Sequence, residues 1–419
     1  MKRETIAGIY RSSLVTIAFL IPSAFYEAIL AVLFIVFLCW IYFKDYKRIK
    51  NWIKAPQILW PLFLYLFVIA GFFFADNYNE SLSTLSTKIP FLVFPLIVGT
   101  SSAVDTPLVW RAGKWLVLST VFFLFLAIGY AAYDILKTKV ETIQIGDGVY
   151  SKLRSYGLTR VFSNWHPSYG AMFANFAIAV IVDKRIGRAS NSFFKWKGAD
   201  FLMLSFLILG LILLNSITGL VAGACLILYY GIRLAVDRKF RPFSMLLLIA
   251  SFCLASILFF VYNPLQLEKI ETFKSRGLAI TDKEGERNVL TFRLAKWSTY
   301  IDIIKEHFWF GTTEGDIKTV RQNAYIGRGY DNLAKLNYNA HNQFLEVGAT
   351  YGITGLIIFL LFLFQPLFAR NYHPLFLGFL LITIISFTTE TVLNRQQGIL
   401  AVMFLYALYT HPFSSKRTF

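Results

Sequence analysis

The sequence predicts an all-α, polytopic membrane protein with about twelve transmembrane helices and one large outer loop. Of its 419 residues, 56% are hydrophobic and only 16% are charged, whereas a soluble domain carries roughly 25% charged residues. The apolar residues gather in blocks of about 17–25, the length that crosses a hydrocarbon core about 30 Å thick. Short basic stretches separate these blocks on alternate sides.

The expected spans run near 5–21, 25–43, 57–75, 89–103, 115–135, 167–183, 200–214, 217–235, 243–262, 343–366, 374–391 and 398–410. The N-terminus lacks a signal-peptide cleavage pattern, so Met1-Lys2-Arg3 is expected to lead into a retained first span. With that end in the cytoplasm, the inner connections receive 21 of the 41 Lys and Arg, and six acids. The rest of the chain holds 20 basic and 18 acidic residues, so nearly all of the net charge of +17 lies inside. That is the positive-inside asymmetry of a protein facing anionic lipid, and it removes the case for nucleic-acid binding.

Two outward segments exceed simple connectors, one near 137–166 and one at 263–340. They divide the chain into spans one to nine (1–262), an outer loop domain (263–340) and spans ten to twelve (341–419). Long loops on a rigid scaffold carry function. Inside the second, Thr291–Phe310 has helical periodicity, with Arg293, Trp297, Tyr300, Ile304 and Phe308 recurring every three or four residues. Such a helix would lie along the membrane surface or cover a cavity. Cys39, Cys225 and Cys253 are scattered through apolar blocks without CxxC spacing, which predicts inert thiols and neither a disulfide frame nor a zinc site.

Among five histidines, His341 and His166 stand at the outer mouths of spans. Asn339 is a plausible helix N-cap, which would put His341 in the first helical turn, where the helix dipole disfavours the imidazolium. An uncharged imidazole at a water–membrane boundary is what a general base for a sugar hydroxyl requires; the plainer reading is an interfacial histidine. Gly348 and Gly352, one turn apart, would let another helix approach closely. Arg293 lies on the apolar stripe of its helix, a costly place unless it snorkels or meets an anion. Arg160, Asn164, Trp165 and His166 precede Pro167, a favoured first helical residue, and form either a sugar-binding cluster or an interfacial belt. Glu390 and Arg395 would either pair with each other or line an acceptor entrance. Asp282, Glu284 and Glu286 read as solvated surface, so no metal cage is visible.

His341-Asn342 followed after nine residues by Gly352-x-x-Gly355 resembles the signature of O-antigen ligases and their relatives, which include some surface-polysaccharide polymerases. Arg293-x-x-x-Trp297, the helix after it and Gly311-Thr-Thr-Glu-Gly315 are similar to a second segment of that family. Glu390 to Gly398 looks like its outer loop between the last two spans. The resemblance covers about 290–400. It implies a GT-C-like, metal-independent glycosyltransferase of lipopolysaccharide biosynthesis, multi-pass in the bacterial inner membrane and working at the periplasmic face without a cofactor. The implied donor is a glycan on undecaprenyl pyrophosphate, and the implied acceptor is lipid A–core or a similar glycan hydroxyl. His341 is matched to acceptor activation or donor contact, Arg293 to the pyrophosphate, and Asn342 and Trp297 to the same site.

One departure accompanies these matches. The family often has an arginine after a serine at the outer start of a middle span, whereas this chain has Ser216-Ile217. Arg160, Arg276 or Arg287 would then supply a second phosphate contact, and Asn215, Ser216 and Thr218 would form a polar turn. A polymerase joining lipid-linked repeat units shares the same donor site and stays open. A polysaccharide transporter or flippase is disfavoured, because the sequence shows no inverted repeat and no clear ionisable pair at mid-bilayer.

Overall fold

The computed structural model describes residues 3–23, 25–145, 148–159, 166–186, 198–236, 289–370 and 372–411. The expected span at 243–262, Cys253, and the candidates Arg160, Asn164, Trp165, Arg276 and Arg287 lie outside the described residues.

The helices are α1 (Arg3–Leu20), α2 (Tyr26–Tyr42), α3 (Pro56–Phe74), α4 (Tyr78–Lys88), α5 (Pro90–Ile97) and α6 (Thr106–Thr138). A hairpin of β1 (Thr142–Ile145) and β2 (Gly148–Ser151) follows, then α7 (Tyr156–Thr159), α8 (Pro167–Ile186), α9 (Ala199–Leu213) and α10 (Ile217–Val236). After the undescribed stretch come α11 (Val289–Glu306), α12 (Ile317–Gly327), α13 (Asp331–Leu336), α14 (Gln343–Ala369), α15 (Leu375–Phe387) and α16 (Gln396–Tyr409). Among the described residues, four helices, Gln57–Phe74, Thr106–Thr138, Ile217–Leu234 and Gln343–Ala369, are long and apolar enough to cross a membrane, and α2, α9, α15 and α16 are shorter apolar helices.

Two expectations need correction. The span expected at 89–103 is the short α5, bounded by Pro90 and ending at Ile97. Helix α6 starts nine residues before the expected 115, because the Asp105 side chain accepts from Leu108 N and caps it there. In the first outer segment a short hairpin interrupts the otherwise helical chain, β1 and β2 pairing antiparallel with Thr142 opposite Ser151.

Helix α8 is the hub of the bundle. Nearly every residue from Pro167 to Ile181 is buried, and small residues on it admit its neighbours. A Cβ on Gly219 of α10 would sit 2.3 Å from Ala171 Cβ, so the two backbones touch there. Asn175 Nδ2 then reaches Gly219 O at 2.8 Å across that contact. Cys39 is buried and Cys225 half-buried, and both are free thiols.

Connections expected on one side of the membrane meet each other. At one end Asp316 accepts from the backbone of Asp76 and Asn77, Lys88 reaches Leu393 and Asn394, and Thr218 meets Thr389. At the other, Asp45 accepts from Ser102 and His411 Nε2 lies 3.0 Å from Ser101 O.

Helix α14 is broken at Gly352, whose φ of 67° and ψ of −170° only glycine adopts readily. In an unbroken helix the carbonyls of Ala349 and Thr350 would accept from Ile353 and Thr354. Here they accept from Thr312 N and Thr313 N, each at 3.0 Å. Ile353 N and Thr354 N donate instead to Phe308 O (2.8 Å) and Trp309 O (3.4 Å). Four hydrogen bonds to the 308–313 segment thus replace two of the helix's own. Gly311 makes the reversal with φ of 74°, and a Cβ on Gly352 would lie 2.4 Å from Trp309 O. A helix is expected at both glycines; at Gly348 the neighbour is Ile304 of α11, 3.0 Å from where a Cβ would stand, whereas at Gly352 it is the Trp309–Phe310 backbone beyond the end of that helix.

Candidate active site

Four segments distant in sequence converge at the end where the outer connections meet. The turn before α14 brings His341, the start of α8 brings His166, α11 brings Arg293 and Lys296, and the loop between α15 and α16 brings Glu390.

His341 does not sit in the first helical turn. Asn342 is the N-cap, its Oδ1 accepting from Phe344 N and Leu345 N, and the helix begins at Gln343. The dipole reasoning built on Asn339 as the cap therefore falls. Asn339 instead accepts from His341 N at 3.1 Å, and His341 takes a left-handed φ of 46°. Non-glycine residues rarely hold that conformation unless their surroundings impose it, and such residues cluster at functional sites. The restraints are explicit: Trp297 Nε1 donates to Ala340 O (3.1 Å) and Ala340 N donates to Glu346 Oε2 (3.0 Å). Asn342 and Trp297, expected near substrate, thus spend their polar groups on holding the His341 turn.

Helix α11 is buried on two sides. Its most enclosed residues are Thr291, Ala295, Lys296, Thr299, Tyr300 and Ile303. The expected stripe shares only Tyr300 with this set, and Phe308 at its far end is exposed. Ala295 packs with Tyr325, Leu333 and Ala334 of α12 and α13 on one side. Trp297 and Ile304 face α14 on the other, and Arg293 shares that side.

Glu390 is the floor of the cluster. His341 Nδ1 lies 3.2 Å from its Oε2, and His166 Nδ1 and Arg293 lie 3.7 Å and 3.9 Å from its Oε1. Only 6% of the Glu390 side chain is exposed, against 21% for His341, 26% for His166 and 25% for Arg293. The carboxylate is inside and the three basic side chains reach the open face. Arg395 does not join Glu390, as one expectation had it; its guanidinium lies over the Tyr169 ring, 5.8 Å from the centroid.

Burial alone would raise the pKa of Glu390, but the hydrogen bond from His341, the electrostatic pull of the two neighbouring imidazoles whenever they are protonated, and the Arg293 guanidinium outweigh it and hold the carboxyl well below its usual range. Burial pushes His166 down, and the pull of Glu390 in the other direction does not restore it. Its Nδ1 accepts from Ser168 N at 3.3 Å, as expected of an unprotonated nitrogen capping α8.

A second buried network fixes these parts. Gln343 Oε1 accepts from Leu393 N (2.8 Å), and Glu346 Oε1 accepts from Asn394 Nδ2 (3.2 Å). Lys88 Nζ donates to Leu393 O (2.9 Å) and Asn394 Oδ1 (2.8 Å). Arg321 of α12 lies 3.7 Å from Glu346 and donates to Asn337 O (2.8 Å). The loop carrying Glu390, the turn carrying His341 and the outer helices are thereby tied to one end of α14. Sequence reasoning missed Lys88, Lys296, Arg321 and Glu346. For Lys296 a signal existed: it lies three residues after Arg293, on a neighbouring face of the same helix.

Residues 202–360 match the family model described as O-antigen ligase. The chain carries an O-antigen ligase domain. No curated protein matches the chain. The ligase domain runs from α9 into α14 and contains Arg293, Lys296, Trp297 and His341; Glu390 lies beyond its end, and His166 before its start. Ligase- or polymerase-type chemistry at a membrane is the function that this domain supports. At the position of the departure from the family pattern, Ser216 Oγ accepts from Gly219 N at the start of α10, and Thr218 Oγ1 meets Thr389 Oγ1 at 2.6 Å. These residues form the expected polar turn, next to the Glu390 loop.

Proposed function

We propose that this protein is a glycosyltransferase that moves a glycan from undecaprenyl pyrophosphate to an acceptor hydroxyl, at the periplasmic face of a bacterial inner membrane. The acceptor is lipid A–core or a similar glycan, and the reaction needs no metal ion. The observation that carries the reading is the Glu390 carboxylate, which brings the His341 imidazole and the Arg293 guanidinium to one open-faced cluster.

In this reading His341 donates Nδ1–H to Glu390, which leaves Nε2 unprotonated and turned to substrate. Nε2 takes the proton of the acceptor hydroxyl as its oxygen bonds to the anomeric carbon. The bond from that carbon to the phosphate oxygen breaks, and its electron pair leaves with the diphosphate. Arg293 is free to follow the departing charge, because its contact with Glu390 is long and a planar guanidinium binds phosphate oxygens in pairs. Glu390 keeps its charge through the cycle and orients the imidazole as a carboxylate orients the histidine of a catalytic triad.

Orientation follows from the segregated basic residues, which put the cluster outside. Twelve spans, with the loop of 263–340 in the periplasm, complete the topology. The polymerase alternative uses the same donor half-site with a second lipid-linked repeat unit as acceptor.

The test is reconstitution of the full chain with undecaprenyl-pyrophosphate-linked glycan and either lipid A–core or a second lipid-linked unit, with EDTA present. Transfer to lipid A–core, abolished in His341→Ala and Arg293→Ala with membrane insertion intact, is the expected result. Normal transfer by both variants, or a requirement for added magnesium or manganese, would refute it.

A further inference from the structure

Lys296 is the buried cation that the scheme above leaves without work. The residue is 3% exposed, yet its ammonium has no hydrogen-bond or ion-pair partner among the described residues. Its neighbours are two aromatic faces, Phe292 at 5.1 Å and Tyr338 at 5.2 Å from the ring centroids. Tyr338 in turn lies 6.1 Å from the His341 ring and 5.4 Å from the Phe292 ring, so the amine stands over a floor continuous with the reactive imidazole. The charges it feels are Arg293 and Glu390.

A lysine that served only packing would place its ammonium in water or against a carboxylate. Lys296 is almost withdrawn from water, at 3% exposure, and reaches no carboxylate. Two aromatic faces supply part of what a cation needs, on one side only, and leave the donors of the ammonium unmatched. Glu390 is hydrogen-bonded to His341 through Oε2, and the cations nearest its Oε1 are His166 and Arg293, at 3.7 and 3.9 Å; Lys296 does not pair with it. The group is therefore configured for an anion that comes from outside the chain and lies against Arg293.

We propose that Lys296 binds the diphosphate of the lipid-linked donor, as a second cation beside Arg293 on the same helix. The assignment rests on the functional reading above. It adds a division of labour: Arg293 supplies a planar fork on the open face, and Lys296 supplies a point charge from beneath. Burial, and then the nearby Arg293, push the amine down to about 7. It is thus only about half protonated near neutral pH while the site is empty, and an arriving anion draws it to the fully charged form.

The experiment measures binding of undecaprenyl pyrophosphate and undecaprenyl monophosphate to the full-length protein in nanodiscs, together with glycan transfer. Lys296→Met keeps the length of the side chain and removes the amine. It is expected to weaken undecaprenyl pyrophosphate binding at least tenfold, to raise donor KM in proportion, and to erase most of the preference over the monophosphate. Lys296→Arg is expected to stay within about threefold of wild type. A Met variant within twofold of wild type in affinity and preference would overturn the assignment. If the Met variant does not fold, a tenfold loss in the folded Arg variant would overturn it. Wild-type protein that ignores undecaprenyl pyrophosphate altogether refutes the functional reading itself, whereas wild-type binding unchanged in Lys296→Met refutes only the role of Lys296.

Discussion

Replacing Glu390 by glutamine keeps the shape of the side chain and deletes the one anion at the centre of the cluster. The carboxyl is held at about 2 instead of 4.5, and at about 1.4 kcal/mol per tenfold change in proton affinity this is about 3 kcal/mol of stabilisation carried by the charged form. The sign follows from the direction of the shift. A depressed carboxyl contributes fully above 4.5 and loses its contribution as pH falls towards 2. Thermal unfolding of wild type and Glu390→Gln in the same detergent should therefore show a gap that persists from pH 8 to about 5 and reaches about 3 kcal/mol. The gap should close only below about 4.5. Protonation of His166 on the way down would widen the gap, since a further positive charge then faces the carboxylate. Glycan transfer by the variant should fall about a hundredfold or more, because the imidazole loses the group that fixes its tautomer. A gap that narrows between pH 7 and 5, or a variant with full turnover, would refute the reasoning.

Further outcomes follow from the geometry. Gly352→Ala puts a Cβ 2.4 Å from the Trp309 carbonyl at a φ of +67°; it should cost about 3 kcal/mol or more, read as a large fall in the unfolding midpoint. Asn342→Ala removes the acceptor for two first-turn N–H groups. It should cost about 1 kcal/mol and lower transfer by displacing His341, while Asn342→Asp should restore both.

Much of this site was legible in the sequence, residue by residue, because chemistry and span order are local properties. His341, His166, Arg293 and Glu390 stood out as charged or titratable groups at the outer ends of apolar blocks, and the structure brings all four together. Their partnerships were not legible. Glu390 and Arg395 are five residues apart and invited pairing, yet the chain turns between them and Arg395 goes to Tyr169. The buried face of α11 was misjudged because a helix packed on two sides has no single apolar stripe. Lys296 hid inside that second buried face. The cap of α14 was placed three residues early because Asn339 and Asn342 are equally good capping residues in sequence. Only the hydrogen bonds to Phe344 and Leu345 distinguish them.

The exchange of hydrogen bonds at Gly352 has a mechanical consequence. A membrane-embedded rod and the polypeptide above it ordinarily meet at side chains, which slide and repack. Here they are spliced through main chain, so the 308–313 stretch cannot lift without unravelling a turn of α14. Room for a bulky lipid-borne sugar must then come from movement elsewhere in the outer segment, while the floor beneath His341 stays rigid.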